Sequence, residues 1–184
     1  FMNNPPDRCY LCKKHFFSKI LEVAKENDIE YVVEGSNMDD MGDYRPGMKA
    51  AKELGVVSPL LACGLTKAEV RALALKYGLS VAHKPAYACL ASRIAYKEPL
   101  SAEKLKMVEL AEDYIRALGL HNVRVRCHGQ LARLEVNPQE IALIAAGFRQ
   151  SIQQKLQAIG FTYVTLDLQG YRTGSMNSEL KQNK

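Results

Sequence analysis

Glu30-Tyr31-Val32-Val33-Glu34-Gly35-Ser36-Asn37-Met38-Asp39-Asp40 decides how the first half of the chain is read. Its first five residues are largely β-branched and aromatic, which is a strand signal. Gly35 lets the backbone turn sharply at the strand's end. The polar run beyond it lies where open α/β sheets bind ligands, outside the carboxyl ends of strands. An amide and carboxylates there, Glu34, Asn37 and Asp40, can meet a ribose, an adenine edge or Mg²⁺. Asn and Asp are also ordinary turn residues, so the residues alone leave both readings open.

Toward the N-terminus, Phe17, Ile20, Leu21 and Ala24 fall at helical spacing through about residue 27. Residues 1–12 read as a Pro- and Asn-rich loop ending in Cys9-x-x-Cys12. Toward the C-terminus, Asp43-Tyr44-Arg45-Pro46-Gly47 prolongs the loop, and residues 48–54 make a short helix. Residues 58–62, Ser-Pro-Leu-Leu-Ala, read as a short buried strand. Thr66-Lys67-Ala68-Glu69 is a capping box. It opens a helix with Val70, Leu73, Ala74 and Tyr77 on one face, closed by Gly78 as a left-handed cap. Helix, strand, loop, strand, helix is a parallel α/β pattern.

The segment Lys84-Pro85-Ala86-Tyr87-Ala88-Cys89-Leu90-Ala91-Ser92-Arg93 reads as a loop between helical signals. A cysteine followed by a serine and an arginine can hold sulfur beside an anion. A boundary is expected near residues 94–100. Beyond it, Ser101 caps a long helix with Leu105, Val108, Leu110 and Ile115 near its apolar stripe, ending at Gly119. Residues 122–127 and 131–136 are two strands joined at His128-Gly129-Gln130. Two short helices, 138–146 and 148–159, precede a last strand at 161–168 and the loop Gln169-Gly170-Tyr171-Arg172-Thr173-Gly174. The polar tail, 178–184, is expected to fray.

The composition is that of an ordinary soluble globular protein, with 47% hydrophobic and 24% charged residues over 184. No run approaches the ~18 apolar residues of a membrane span. No basic-then-apolar leader is expected at Phe1-Met2-Asn3-Asn4-Pro5, and the opening on Phe suggests that an upstream part is missing. The net charge of +5 favours anionic partners without choosing among them. With no Lys/Arg tract and no aromatic-plus-basic RNA motif, nonspecific nucleic-acid binding is disfavoured.

The five cysteines are Cys9, Cys12, Cys63, Cys89 and Cys127. An odd number without an export signal argues against a disulfide scaffold and for a reducing cytoplasm. Cys9 and Cys12 can grip one metal or cluster edge, or act as a redox dithiol. Cys89 can supply a third thiolate, leaving one position open, as a catalytic metal or an iron–sulfur cluster needs. Cys63 and Cys127 read as small hydrophobes. In Val123-Arg124-Val125-Arg126 the two arginines share a strand face. They form a phosphate or carboxylate clamp or a solvated face, with Arg133 and Glu135 on the pairing strand balancing part of the charge. His128 is a hairpin residue, an anion ligand or an acid/base group. Arg93, Ser92 and Arg172 join Arg124 and Arg126 in a polyanion pocket if the fold gathers them.

One ordered set carries a resemblance. It comprises Asp7-Arg8-Cys9-Tyr10-Leu11-Cys12-Lys13, Glu34-Gly35-Ser36-Asn37 with Asp43-Tyr44-Arg45-Pro46-Gly47, Pro85-Ala86-Tyr87-Ala88-Cys89-Leu90-Ala91-Ser92-Arg93, Val123-Arg124-Val125-Arg126 and Gly170-Tyr171-Arg172-Thr173-Gly174. From near residue 5 to near residue 177 it resembles the LarE family, PP-loop ATP pyrophosphatase-type sulfur transferases of nickel-pincer cofactor synthesis.

The resemblance implies an α/β chain. Residues 1–94 would be the remainder of a Rossmann-like (adenine nucleotide alpha hydrolase-like) PP-loop domain. Residues 95–184 would be a smaller α+β domain for substrate binding and oligomerisation. It implies adenylation by ATP and Mg²⁺ of a pyridinium-3,5-biscarboxylic acid mononucleotide, then displacement of AMP by sulfur, twice, to the bisthiocarboxylic form. Cys9, Cys12 and Cys89 match the branch whose three cysteines hold a [4Fe–4S] cluster, with Cys89 as the catalytic residue. By the same carry-over Ser92, Arg93, Arg124 and Arg126 hold the substrate phosphate, Glu34, Asn37 and Asp40 face the nucleotide, and the protein is a cytoplasmic homo-oligomer.

The family's Ser-Gly-Gly-x-Asp-Ser phosphate loop does not occur in these 184 residues, so the chain alone is expected not to adenylate a carboxylate. A PP-loop tRNA thiolase, or a metal- or cluster-binding module without catalysis, are the alternative readings.

Overall fold

The computed structural model describes residues 1–42, 44–84, 88–120, 122–172 and 174–177. Residues 85–87, Asp43, Thr173 and the tail, all part of the motifs and expectations above, lie outside the described residues. The chain is a mixed α/β protein whose residues divide into two compact units. Phe1 and Pro6–Ala86 form the first; Met2–Pro5 and Tyr87–Lys184 form the second. Among the described residues, no helix is long and apolar enough to cross a membrane.

The first unit is built on helix α1 (Arg8–Glu26) and helix α2 (Pro46–Glu53), which pack together. Its small core is Phe17, Ala51 and Val56, with Ile20, Val32 and Leu54 against them. α1 begins five residues earlier than the sequence suggests, so Cys9 and Cys12 stand in a helix and not in a loop.

The expected strand at 30–34 reduces to one parallel bridge, Val33 to Val57. Glu34 N–H donates to Val57 O at 2.9 Å, and Val57 N–H to Val32 O at 2.9 Å. The strand expected at 58–62 is instead a helical turn, α3 (Pro59–Ala62), with no buried residue. Pro59 occupies its first position, where a fixed φ and a missing N–H suit a helix start.

Helix α4 (Lys67–Lys76) has the expected capping box: Glu69 N–H donates to Thr66 Oγ1 at 3.3 Å, and Thr66 N–H to Glu69 at 2.8 Å. Its anticipated apolar face is only half covered, since Leu73 is 38% and Tyr77 72% exposed.

The second unit holds the main core. Helix α5 (Ala102–Ala117) is capped by Ser101, whose Oγ accepts from Lys104 N–H at 3.1 Å. Strands β1 (Arg124–His128) and β2 (Leu131–Glu135) pair antiparallel through the tight turn at Gly129 and Gln130. A helical run follows: a 3₁₀ turn, α6 (Ile141–Leu143), a π turn over Ile144–Phe148 and α7 (Arg149–Ile159). It returns the chain to strand β3 (Tyr163–Leu166), parallel to β2.

One sheet face, with Val125, Cys127, Ala132 and Leu134, joins Val108, Ile115, Ile152 and Leu156 of α5 and α7 in the core. The period of two puts Arg124, Arg126, Arg133 and Glu135 on the other face. Met2–Pro5 completes this unit: Asn4, fully buried, donates from Nδ2 to Ala95 O at 2.7 Å.

Candidate functional site

Each unit carries part of the expected site. In the first, Cys9 and Cys12 lie three residues apart on α1, both exposed and unbridged. At that spacing side chains are helical neighbours. Lys13, one residue on, reaches Glu34 at 3.3 Å. Glu34 also accepts from Ser58 Oγ at 2.6 Å and from Ser36 N–H at 3.2 Å. Burial pushes its carboxyl up, but these hydrogen bonds and the Lys13 ammonium outweigh it and hold the group below its ordinary value.

Glu34 borders a cleft of about 570 Å³ whose walls include Met41, Met48, Lys52, Val56 and Ser58. Asn37 and Asp40 close their own turn: Asn37 N–H donates to Asp40 at 3.1 Å and Asp39 N–H to Asn37 Oδ1 at 3.1 Å. Asp40 is paired with Arg45 at 3.1 Å.

In the second unit, Ser92, Arg93, Arg124 and Arg126 come together at the polar face of the sheet. The Cys89 segment arrives as a 3₁₀ turn (Leu90–Arg93), and Ile94 then bridges to Cys127 of β1. Cys89 is exposed; Arg93 is 1% exposed. Arg93 Nε and Nη2 donate to the two oxygens of Glu112 at 2.8 and 3.0 Å. Arg126 Nη1 donates to Ser92 O at 3.0 Å, and its Nη2 to Glu135 at 2.7 Å and Ser175 Oγ at 2.8 Å. Arg126 Nε, also buried, has no hydrogen-bond partner among the described residues. Arg124 donates to Val123 O at 2.8 Å and lies 5.2 Å from the Tyr171 ring centre. Burial first, then the nearby Arg93 charge, lower its pKa.

Among the described residues of this unit, the buried charges are Arg93, Arg124 and Arg126 against Glu112 and Glu135. Three guanidiniums face two carboxylates, and Arg133 at the margin shares Glu135 and reaches Asp167 at 3.7 Å. Such a surplus in low dielectric favours an added anion. Arg172 stands at the edge, half-exposed, 4.0 Å from Asp167.

Glu112, Tyr171 and Ser175 are the contributors the sequence reading did not assign a role. Glu112 sits on the buried face of α5 beside Val108, Ala111 and Ile115, and a carboxylate in an apolar stripe is the signal that could have exposed it.

Among the described residues no three His, Cys, Asp or Glu side chains gather into a group that could hold a metal ion. Cys9 and Cys12 belong to the first unit and Cys89 to the second, so the expected triad is a feature of neither unit alone. All three thiols are exposed, and cysteine thiolates are the donors that iron–sulfur clusters use. In donor chemistry the set fits a cluster.

No family model matches the chain. It is 43% identical over 178 residues to an uncharacterized protein of Synechocystis sp., covering 96% of this chain and 66% of that protein. It is 40% identical over 178 residues to the pyridinium-3,5-bisthiocarboxylic acid mononucleotide synthase of Lactiplantibacillus plantarum, covering 97% of this chain and 64% of the synthase. An uncharacterized protein of Methanocaldococcus jannaschii is 30% identical over 172 residues, 94% of this chain and 67% of that protein. The chain spans about two thirds of the length of these relatives.

Proposed function

We propose that this chain, which belongs to the family of the Methanocaldococcus jannaschii protein, is part of an ATP-dependent sulfur transferase of the LarE type. In this reading it converts pyridinium-3,5-biscarboxylic acid mononucleotide to the bisthiocarboxylic form. The 40% identity to a protein named as the synthase of that product supports the substrate class. The observation that carries the reading within the molecule is the anion pocket: Arg126 Nε is buried without a hydrogen-bond partner among the described residues, and Arg126, Arg93 and Arg124 outnumber the two buried carboxylates described in this unit.

The substrate phosphate binds at this face, against Arg124 and Arg126, with Ser92 and Arg93 at its border. A phosphate is suited to it because arginine offers forked donors. It also offsets the burial of Arg124 and, next to that, the repulsion from Arg93 and Arg126, which together lower the Arg124 pKa. Tyr171 packs on the guanidinium and limits water on that side.

In the first unit, the cleft beside Glu34 takes the nucleotide, with Asn37 and Asp40 fixing the loop that forms its edge and ATP bringing Mg²⁺. This unit is the remainder of a Rossmann-like PP-loop domain. The carboxylate attacks the α-phosphorus of ATP, pyrophosphate leaves, and sulfur displaces AMP from the acyl adenylate. Cys9, Cys12 and Cys89 hold a [4Fe–4S] cluster, which when bound offers one iron free for an exogenous sulfur ligand. The protein works as a homo-oligomer in the reducing cytoplasm.

Anaerobic reconstitution of the chain with iron and sulfide tests the cysteine assignment. The expected product is brown, binds about four irons per chain, and loses them in Cys89→Ala. A colourless protein holding one tight zinc refutes it. An ATP–pyrophosphate exchange assay tests the adenylation half: with no Ser-Gly-Gly-x-Asp-Ser loop in these residues, the 184-residue chain alone is expected to be inactive, and robust exchange would overturn that expectation.

A further inference from the structure

Two buried guanidiniums grip the backbone of the turn that carries Cys89. Arg93 lays one edge on Glu112. Its Nη1 points the other way and donates to Ala88 O at 2.8 Å, Cys89 O at 3.3 Å and Ser92 Oγ at 3.1 Å. Arg126 Nη1 takes Ser92 O. Inside the turn, Ser92 N–H donates to Cys89 O at 2.9 Å and Ile94 N–H to Ala91 O at 3.3 Å. The carbonyls of residues 88, 89, 91 and 92 are therefore all engaged, while the Cys89 side chain stays exposed.

Glu112 is itself fixed from three directions. It is fully buried. Besides Nε and Nη2 of Arg93, it accepts from Val125 N–H at 3.1 Å and from Arg116 Nη2. Four donors use the four lone-pair sites of a carboxylate. One side chain thus joins α5, β1 and the Cys89 turn.

A buried ion pair is a poor way to gain stability, because an apolar pair of similar volume often does as well or better. An apolar pair cannot hold two carbonyls and a hydroxyl of a turn too short to form its own ladder. The Arg93–Glu112 pair does hold them, so its use is geometric.

We propose that Arg93 and Glu112 are positioning residues for Cys89: Glu112 sets the plane of the Arg93 guanidinium, and Arg93 holds the Cys89 backbone so that its Cα–Cβ bond leaves the turn in one direction. Arg93 acts through the main chain and not on the ligand. The importance of aiming Cys89 rests on the sulfur-transfer reading above, but the test needs no iron, nucleotide or substrate. Failure of iron reconstitution and failure of this proposal are therefore separate results.

The full reduced chain is compared with Arg93→Met/Glu112→Met and with Arg93→Lys. Site-resolved mass spectrometry gives hydrogen exchange of residues 88–92 against that of the β1 amides other than Val125, whose own acceptor is Glu112, and iodoacetamide alkylation of Cys89 against exposed Cys63 of the first unit. In the double variant, exchange at 88–92 is expected to rise about tenfold or more with β1 within about threefold of the parent. The Cys89-to-Cys63 alkylation ratio is expected to change at least about threefold. Arg93→Lys keeps the charge opposite Glu112, but its single ammonium lacks the rigid fork that spans both groups. It gives the same local loosening, smaller. Unchanged exchange at 88–92, or a rise matched by β1, overturns the proposal. If the double variant does not fold, Arg93→Lys decides by the same comparison. If neither folds, the pair is a general structural element and the proposal fails.

Discussion

Gly170→Ala tests how tightly the loop over the polar sheet face is built. Gly170 has φ +68°, a region that costs an alanine about 1–2 kcal/mol. A Cβ there would stand 2.6 Å from Val136 O and 3.2 Å from Pro138, and the first of these is backbone with nowhere to go. Overpacking of that kind adds about 1–3 kcal/mol. Gly129→Ala is the matched control: φ is +59°, and its added Cβ meets nothing within 4 Å, so it is charged with the conformational cost alone.

Opening free energies of the β1 and β2 amides, from native-state hydrogen exchange, give both numbers for the second unit without assuming that the whole chain unfolds in one step. Gly170→Ala should be the worse of the two by about 1–3 kcal/mol, a factor of roughly 5–150 in the opening constant. The overlap falls on the oxygen that accepts from Tyr171 N–H at 2.7 Å. Relaxation therefore carries Tyr171 away from Arg124, and millimolar inorganic phosphate should protect the variant less than the parent. If the two alanines cost the same, the close approach at Gly170 does not govern this loop.

Two further outcomes follow from charges. Glu34 titrates below its ordinary value of 4.5 in the folded chain, so it binds its proton more weakly there than when unfolded. Its contribution is present above that value and is lost as pH falls through the lower folded pKa; the first unit should weaken on that acid limb, and Glu34→Gln should remove this component from a plot of first-unit hydrogen exchange against pH. Cys127 is pushed up to about 11, by burial first and then by Glu98, so at pH 8 iodoacetamide should label Cys9, Cys12, Cys63 and Cys89 while Cys127 stays unmodified until the chain is denatured; equal labelling of all five in the native chain would refute this.

What could be read in advance was local chemistry. The Thr66 capping box, the Ser101 cap, the β1–β2 hairpin and the shared face of Arg124 and Arg126 depend on residues a few positions apart, and the structure has them as the sequence suggests. The misreadings have a common cause. The apolar content of Leu60 and Leu61 suggests a buried strand, yet Pro59 starts a helical turn there, and the strand-like pairing sits earlier at Val57. The turn chemistry outranked the short apolar run, whose period is ambiguous. In the same way the prolines before Cys9 and Cys12 suggest a loop, although prolines that precede a helix do not interrupt it. The grip of Arg93 on its own turn was not legible, because Glu112 is nineteen residues away and only the packing of α5 on β1 brings it there.

The second unit is discontinuous in sequence. Besides the Asn4 side chain on Ala95 O, Lys97 N–H donates to Asn4 O at 2.9 Å and Leu100 N–H to Met2 O at 2.8 Å. A fragment cut to begin at residue 87 would carry the sheet, α5 and the arginines, yet leave those two amides and the Ala95 carbonyl without their partners, next to the exit of the Cys89 turn. Anyone isolating the half that carries the buried arginines must therefore supply the tetrapeptide from the far end of the chain, fused or in trans. A fragment complemented by that short peptide gives a direct measure of how much a handful of N-terminal residues contribute to the order of the Cys89 turn and the arginines behind it.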